Sequence, residues 1–150
     1  MNEQKCPNDG STMRREVKPL TLTYKDQSET ADFPGWTCPK CSERVFSGLD
    51  LKGSSRIMNR LRARDFGLLD PDEIRRIRKK LGLSQQKAGI LIGGGPRAFQ
   101  KYESSDLLPS LGVNNTLMIL DHNPSELAVL EKRLQKTINK MYGHHDRPPA

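Results

Sequence analysis

The spacing of apolar residues along the chain changes near residue 66. Before about residue 48, apolar and polar residues alternate in short runs, as at Leu20, Leu22 and Tyr24, and turn-forming residues separate these runs. A period of two predicts short β-strands joined by turns. After Phe66-Gly67 the apolar residues recur at spacings of three and four, which predicts a series of helices. The pattern therefore predicts a small N-terminal module followed by a helical domain.

Five helices are predicted in residues 67–142. The first begins at Asp70, because an N-cap aspartate, a proline at the first helical position and a glutamate at the third predict a capping box. Gly82 ends this helix. The later helix starts are predicted at Ser84, Pro96, Ser110 and Asn123. The apolar residues predicted to face the core are Ile74, Ile77, Leu81, Ala88, Leu91, Ile92, Phe99, Tyr102, Val113, Leu117 and Leu120.

The last helix carries a longer apolar stripe than the others. Leu127, Leu130, Leu134, Ile138 and Met141 advance by 3, 4, 4 and 3 residues, which is the spacing of a coiled-coil seam. The first half of this stripe is enough to cover the core of its own domain, so the second half predicts contact with another copy of the chain. The alternative is that the whole stripe packs on its own domain.

Two segments lie outside the module and the domain. Residues 49–66 are polar and rich in arginine, with apolar residues at helical spacing after the weak helix start Gly53-Ser54-Ser55. We interpret this segment as a partly helical linker. The last eight residues are small, polar and proline-containing, which predicts a frayed tail. The predicted organisation is a module over 1–48, a linker over 49–66, a domain over 67–142 and a tail over 143–150.

The chain is basic, with a formal net charge of +7 over 150 residues. This balance favours a polyanionic partner, but many basic proteins bind no nucleic acid, so charge does not select the partner. No run of apolar residues reaches the roughly 18 that a membrane helix needs, and the first residues, MNEQKCPNDG, lack the apolar core of a secretory signal. We therefore expect a cytoplasmic protein without a membrane partner.

The second and third predicted helices match a helix-turn-helix, in which one helix enters the major groove of DNA and the other braces it. Phe99 and Tyr102 are assigned to the core, which turns the polar side chains of the third helix outward. These side chains are Arg97, Gln100 and Lys101. Arginine and lysine pair with guanine, and glutamine pairs with adenine. We predict that this face reads base edges; the alternative is that it is only solvated.

The amino end of the second helix carries Gln85 and Gln86. Backbone N–H groups point outward at a helix start, and we expect these glutamines to contact DNA phosphates there, which positions the protein without reading sequence. Gly93, Gly94 and Gly95 end this helix and are interpreted as a turn. A nucleotide-binding loop is disfavoured, because the Gly-Lys-Ser/Thr sequence of a P-loop is absent.

The chain has three cysteines, Cys6, Cys38 and Cys41. An odd number in an expected reducing compartment favours a metal site over a disulfide framework. Cys38 and Cys41 have the two-residue spacing of a zinc knuckle, and a second knuckle would complete four tetrahedral ligands. Only half of that second knuckle is present, because Asp9 stands two residues beyond the Cys6-Pro7 pair. The sequence predicts either a structural Cys3Asp zinc site or a site that no longer binds metal.

The Cys-Pro-Lys-Cys sequence also fits the redox motif of thioredoxin-like oxidoreductases. That motif requires a βαβ context and a helix that begins at the first cysteine. Residues 42–46 predict a strand instead, so a zinc knuckle followed by a hairpin is preferred.

Four stretches of the chain have a sequence that is recognisable. They are LSQ at 83–85, GGGPRAFQKYE at 93–103, LDHNP at 120–124 and PGWTCPKCSE at 34–43. Together they resemble the MqsA (YgiT) family of antitoxins. The resemblance implies an N-terminal zinc-binding domain and a C-terminal Cro/C1-like helix-turn-helix domain that binds DNA and dimerises. It also implies a co-encoded, RNA-cleaving toxin as a partner.

The sequence as a whole predicts a mostly α protein, in which a five-helix Cro/C1-like helix-turn-helix domain follows a small zinc-ribbon-like α+β module. The predicted function is that of a repressor-antitoxin: a homodimer binds its operator, and the N-terminal module covers the toxin. The alternative is a stand-alone transcriptional regulator whose cysteines sense a metal or a redox state. An enzyme is disfavoured, because no nucleophile, base and orienting group can be assembled from these residues.

Overall fold

The computed structural model describes residues 3–142. The chain forms two compact units, and the division falls between Asp65 and Phe66. The N-terminal unit contains a three-stranded sheet and one helix, and the C-terminal unit contains the other helices. The predicted tail at 143–150 lies outside the described residues.

A long antiparallel hairpin forms most of the sheet in the N-terminal unit. Strands β1 (Arg14–Tyr24) and β2 (Gln27–Thr37) each have 11 residues, and β3 (Arg44–Val45) pairs with β2 to give the order β1-β2-β3. The hairpin turns at Lys25, which has a positive φ of 51°. The strands are longer than predicted, because this turn contains neither glycine nor proline and the polar residues around it continue the pairing.

Helix α1 (Ser54–Phe66) packs on this hairpin. Ile57 and Leu61 are buried, and with Phe33 of β2 they form an apolar cluster of the N-terminal unit. The sequence predicted a partly helical linker over 49–66, whereas the structure includes its helix in the N-terminal unit. The physical reason is the four-residue spacing of Ile57 and Leu61, which gives the helix an apolar face that the sheet covers.

The C-terminal unit is built from helices joined by short turns. They are α2 (Pro71–Lys80), α3 (Gln85–Leu91), α4 (Ala98–Glu103), α5 (Leu111–His122) and α6 (Leu127–Tyr142), with a 3₁₀ turn at Pro124–Glu126 between the last two. The longest, α6, has 16 residues and includes several lysines and arginines. Within the described part of the chain, no helix combines the length and the apolar character that crossing a bilayer requires.

Side-chain caps fix the starts of several of these helices. The hydroxyl of Ser84 accepts from the N–H of Lys87 at 3.1 Å, and the hydroxyl of Ser110 accepts from the N–H of Val113 at 3.2 Å. Both predicted starts are confirmed. The capping box predicted at the start of α2 is also present, where the N–H of Asp70 donates to the glutamate at the third position.

Two helix starts differ from the prediction. Helix α4 begins at Ala98 rather than Pro96, because the N–H of Ala98 donates to the carbonyl of Gly95 and closes a tight turn first. At the last start, the N–H of Glu126 donates to the carbonyl of Asn123, which makes a 3₁₀ turn before α6.

The core of the C-terminal unit is one cluster of buried side chains from all five α-helices and the turns between them. Its members are Ile74, Ile77, Leu83, Ala88, Leu91, Ala98, Phe99, Tyr102, Val113, Leu117, Leu120 and Leu127. Leu130 and Leu134 are half-buried against this cluster, whereas Ile138 and Met141 are exposed. The first half of the α6 stripe therefore packs on its own unit.

Candidate metal centre and candidate nucleic-acid interface

The β1–β2 hairpin brings the four predicted metal ligands together. The register pairs Arg14 with Thr37, so the residues just before β1 and just after β2 lie at the same end of the sheet. Each loop there is closed by its own hydrogen bond. The N–H of Gly10 donates to the carbonyl of Cys6 at 2.9 Å, and the N–H of Ser42 donates to the carbonyl of Cys38 at 3.1 Å. The result is two facing loops, each of which carries two of the ligands.

The ligand atoms of Cys6, Asp9, Cys38 and Cys41 all lie within 4.8 Å of one another. The Sγ atoms of Cys6 and Cys41 are 3.5 Å apart, and Sγ of Cys38 is 3.4 Å from Oδ2 of Asp9. A tetrahedral zinc with a Zn–S distance of about 2.3 Å places two thiolates about 3.8 Å apart, and a thiolate and a carboxylate oxygen about 3.5 Å apart. The cluster therefore has the dimensions of a tetrahedral metal site and could hold a metal ion.

The surroundings of the cluster act on the protonation of its members. The backbone N–H of Ser11 donates to Oδ1 of Asp9 at 2.8 Å and lowers the pKa of this carboxyl group to about 2. The backbone N–H of Cys41 lowers the pKa of Cys38. The N–H of Glu43 lowers the pKa of Cys41, but the neighbouring thiols outweigh it and raise that pKa to about 11. Asp9 is therefore anionic at neutral pH, and a metal ion would have to displace the proton of Cys41 in order to bind its sulfur.

The cluster also forms part of a small apolar core. Cys6 and Cys38 are buried with Met13, and Trp36 and Val45 pack against them. Asp9 and Cys41 are exposed, so solvent reaches the cluster from one side. Residues 38–43 form turns that lead into β3, and no helix begins at Cys38. This is the geometry of a knuckle followed by a strand, and the thioredoxin-like alternative has no support.

The turn between α3 and α4 depends on glycine at several positions. A Cβ atom at Gly89 would lie 1.8 Å from the carbonyl oxygen of Gly95, and one at Gly94 would lie 2.5 Å from Oη of Tyr102. The backbone φ is also positive at Gly93, Gly94 and Gly95. The predicted turn is confirmed. Gly89 was missed because its role is a close approach of two backbone segments, which the helical pattern around it does not reveal.

Helix α4 presents one buried and one exposed face. Phe99 and Tyr102 are buried, with their rings edge to face at 5.4 Å between centroids. Arg97, Gln100 and Lys101 are all exposed. Arg97 precedes the first helical residue, so the exposed set begins in the turn and continues along the helix.

A buried carboxylate joins α4 to the two preceding helices. The Glu103 side chain is 1% exposed and accepts from Arg78 at 2.8 Å, from Arg75 at 3.3 Å and from Nε2 of Gln85 at 3.1 Å. Burial raises the pKa of Glu103, but the hydrogen bonds from Arg78 and Gln85 lower it further than burial raises it, so the net pKa lies below its ordinary value. This network fixes the direction of the exposed face of α4.

The sequence analysis did not identify Glu103. The signal was present, since Glu103 follows Phe99 by four residues and therefore lies on the buried face of α4. The network also includes Gln85, which is half-buried and donates to Glu103, so part of its side chain is already engaged. Gln86, in contrast, is exposed. Of the two glutamines predicted at the start of α3, only Gln86 has a fully exposed side chain.

Comparison with known proteins assigns a family to this chain. The family model described as the antitoxin component of the bacterial toxin-antitoxin system, MqsA, matches residues 4–131. This match extends over the metal cluster and the α3–α4 segment. The chain is also similar to Antitoxin MqsA of Escherichia coli (strain K12), with 28% identity over 127 residues that cover 82% of this chain and 96% of that protein. The chain belongs to the MqsA antitoxin family.

Proposed function

We propose that this antitoxin represses its own operon through the C-terminal unit and binds a co-encoded toxin through the N-terminal unit. The antitoxin role rests on the family. The repressor role rests on one observation above all, the exposed face of Arg97, Gln100 and Lys101 on a helix that a buried carboxylate holds in place. In this proposal α3 and α4 form a helix-turn-helix, and α4 enters the major groove.

The exposed face of α4 has the chemistry for base recognition. Within the described residues, the side chains of Arg97, Gln100 and Lys101 form no hydrogen bond or ion pair with another side chain. Their donors are therefore available for guanine O6 and N7 and for adenine N7, and the Gln100 carbonyl is available for adenine N6. Gln86, exposed at the start of α3, contacts phosphate, and Gln85 contributes its free carbonyl oxygen and second N–H there.

Zinc is the metal that this donor set fits best. Thiolates favour zinc over magnesium or calcium, and structural zinc sites are tetrahedral with cysteine ligands. Cys6, Asp9, Cys38 and Cys41 would hold the ion, which would supply folding energy to the N-terminal unit. The role is structural, since all four positions of the tetrahedron are filled by the protein.

A homodimer is part of the proposal, because helix-turn-helix repressors bind two half-sites about one DNA turn apart. The end of the α6 stripe offers a contact, since Ile138 is 38% exposed and Met141 is 68% exposed. Replacing both with aspartate should give monomers in analytical ultracentrifugation and weaker operator binding. Leu134 is a poor choice for this test because it packs on its own core. A wild-type monomer at tens of micromolar would argue against the dimer.

The toxin contact is proposed for the sheet of the N-terminal unit. In the order β1-β2-β3, the outer edge of the 11-residue strand β1 pairs with no other described strand. Such an edge can accept a strand from a partner. Phe33 is buried, and Trp36 and Phe46 are half-buried against the two apolar clusters, so these aromatic residues belong to the unit's own core rather than to a contact surface.

Two variants of the full chain test the proposal by separating its two halves. Arg97→Ala should weaken operator recognition and still protect cells that express the product of the neighbouring gene. Cys38→Ser should lose that protection and keep operator binding. DNA binding is measured by fluorescence anisotropy on the DNA upstream of its own gene, and protection by growth. If wild-type protein neither protects cells nor captures the neighbouring product, the antitoxin half fails and a stand-alone regulator remains.

A further inference from the structure

Helix α6 carries four cations on one side, which we call the α6 basic stripe: Lys132, Arg133, Lys136 and Lys140. At 100° per residue these positions fall within an arc of about 100°, on the side of the helix opposite Leu127, Leu130 and Leu134. All four side chains are exposed, and none forms an ion pair within the described residues. The stripe is thus a continuous positive surface along the second half of the helix.

This arrangement works against the stability of the helix itself. Lys132 and Lys136, and likewise Lys136 and Lys140, stand four residues apart, where like charges repel and destabilise a helix. The helix dipole favours cations in the last turn, which accounts for Lys140 but not for the others. Helix α2 offers a contrast within the same unit, since its Arg76 and Lys80 both pair with Asp121. Among residues 3–142 the stripe has no such acidic partner.

The stripe also lies beyond the part of the chain that matches the family. The family match ends at residue 131, and the stripe begins at Lys132. The stripe therefore belongs to a part of the last helix that the family match does not cover. A second copy of the same stripe is unsuitable as the partner, because two such surfaces would repel each other.

We propose that the α6 basic stripe contacts phosphates of the duplex DNA beside the operator. The inference rests on the proposed repressor function and extends its DNA surface beyond α3 and α4. Two observations support it: the four exposed cations form no ion pair within the described residues, and the repulsion among them is one that a polyanion would relieve. Contacts of this kind are sequence-independent and add affinity without changing which site is chosen.

The test compares full-length protein with a variant in which all four stripe residues are replaced by glutamine. Glutamine has a helix propensity close to that of lysine and arginine, so α6 should persist. Binding to the upstream DNA and to a random duplex is measured between about 50 and 200 mM salt. The plot of log affinity against log salt concentration has a negative slope, and its magnitude should decrease by about 0.9 for each phosphate that the variant no longer contacts. The preference for the operator over random DNA should stay the same.

Two controls make the result specific. The variant K132R/K136R/K140R keeps all four charges and should keep the wild-type slope, whereas Glu131→Gln changes a charge outside the stripe and should not lower it. An unchanged slope in the glutamine variant would overturn the inference. If wild-type protein does not distinguish the operator from random duplex, the repressor proposal fails instead. The slopes on random DNA still test the stripe in that case, because phosphate binding does not depend on sequence.

Discussion

The two units differ in how they bury apolar side chains. The N-terminal unit divides its buried apolar side chains between two main clusters, one of Cys6, Met13 and Cys38 and one of Phe33, Ile57 and Leu61. The C-terminal unit, with 85 residues against 65, has one continuous cluster of twelve buried residues. A small unit with a divided core has little stability of its own and usually needs a disulfide or a metal. The comparison therefore predicts that one unit depends on its metal centre and that the other does not.

Removing the zinc that we propose for the N-terminal unit is the strongest way to test this difference. A strong chelator, or Cys38→Ser, should unfold the N-terminal unit and leave the helices of the C-terminal unit in place. The expected effect is the largest here, because structural zinc contributes about 10–16 kcal/mol in zinc-finger peptides, more than the whole stability of a small domain. Two-dimensional NMR of the full chain reports the two units separately, through loss of β1 and β2 signals with α2–α5 signals retained.

Asp9→Cys is the matched control for the metal test. A fourth thiolate is the more usual structural ligand for zinc, so this variant should bind the ion more tightly and resist the chelator longer. Metal analysis of purified wild-type protein should find about one zinc per chain. Protein that contains no zinc, with β1 and β2 signals unaffected by chelator, would show that the N-terminal unit is stable without a bound metal.

The second prediction concerns the buried ionic network around Glu103 in the C-terminal unit. The apolar core of this unit should not compensate for its loss. Glu103→Gln should lower the free energy of unfolding of this unit by about 3–5 kcal/mol, because it leaves the nearly buried Arg78 without its anion. Asp121→Asn is the control, since it breaks exposed ion pairs with Arg76 and Lys80 and should cost much less than Glu103→Gln. Thermal and urea unfolding measure both changes.

The same network predicts a pH dependence. The pKa of Glu103 is lower in the folded protein than in the unfolded chain. Its stabilising contribution is therefore complete above the unfolded-state pKa and is lost as the pH falls through the lower folded-state pKa. Wild-type protein should lose part of the unfolding free energy of the C-terminal unit below about pH 4.3, and Glu103→Gln should lose less over the same interval. Parallel curves for the two proteins would contradict this role.

A matched pair of core truncations sharpens the comparison between the units. Leu61 and Leu117 are both 0% exposed, one in each unit. Replacing either by alanine should cost about 2–5 kcal/mol. The loss of unfolding free energy should be similar in the two variants, but its effect on the fold of each unit should differ. Leu61→Ala should make α1 and the hairpin susceptible to limited proteolysis, whereas Leu117→Ala should lower the melting temperature of a unit that stays folded. Equal protease resistance in the two variants would show that the divided core is as robust as the continuous one.

Features that depend on neighbouring residues were predicted well from the sequence. Ser84 and Ser110 cap helices because a hydroxyl at that position reaches an N–H two or three residues ahead, which is a local matter. The four candidate metal ligands were also predicted from their spacing, and the structure brings their ligand atoms within 4.8 Å of one another. Their convergence, however, depends on the register of the hairpin, in which Arg14 pairs with Thr37. The spacing alone left open whether Asp9 takes part.

Features that depend on distant contacts were not predicted. The docking of α1 on the sheet requires Ile57 to meet Phe33, which is 24 positions away in the sequence, and the segment was interpreted as a linker. The tight fit of Gly89 against Gly95 and the pairing of Glu103 with Arg78 are of the same kind. Each joins two elements whose separate patterns look ordinary, so only the folded arrangement reveals the contact.

The smallest expected effect concerns binding rather than folding. Arg97→Ala should leave the unfolding free energy of both units within about 0.5 kcal/mol, because Arg97 is exposed and surface substitutions of this kind change little. If Arg97 reads a base, the same variant should lose about 1–3 kcal/mol of operator affinity and become tolerant of base changes at one position of each half-site.

The control for this prediction is Gln86→Ala at the start of α3. A phosphate contact carries no sequence information, so its removal should weaken operator and random duplex by the same factor. Anisotropy titrations against a set of single-base operator variants measure both effects. If Arg97→Ala also weakens all sequences equally, then Arg97 contacts only the backbone, and base reading rests on Gln100 and Lys101. If the operator preference survives replacement of all three, the recognition surface lies elsewhere on the C-terminal unit.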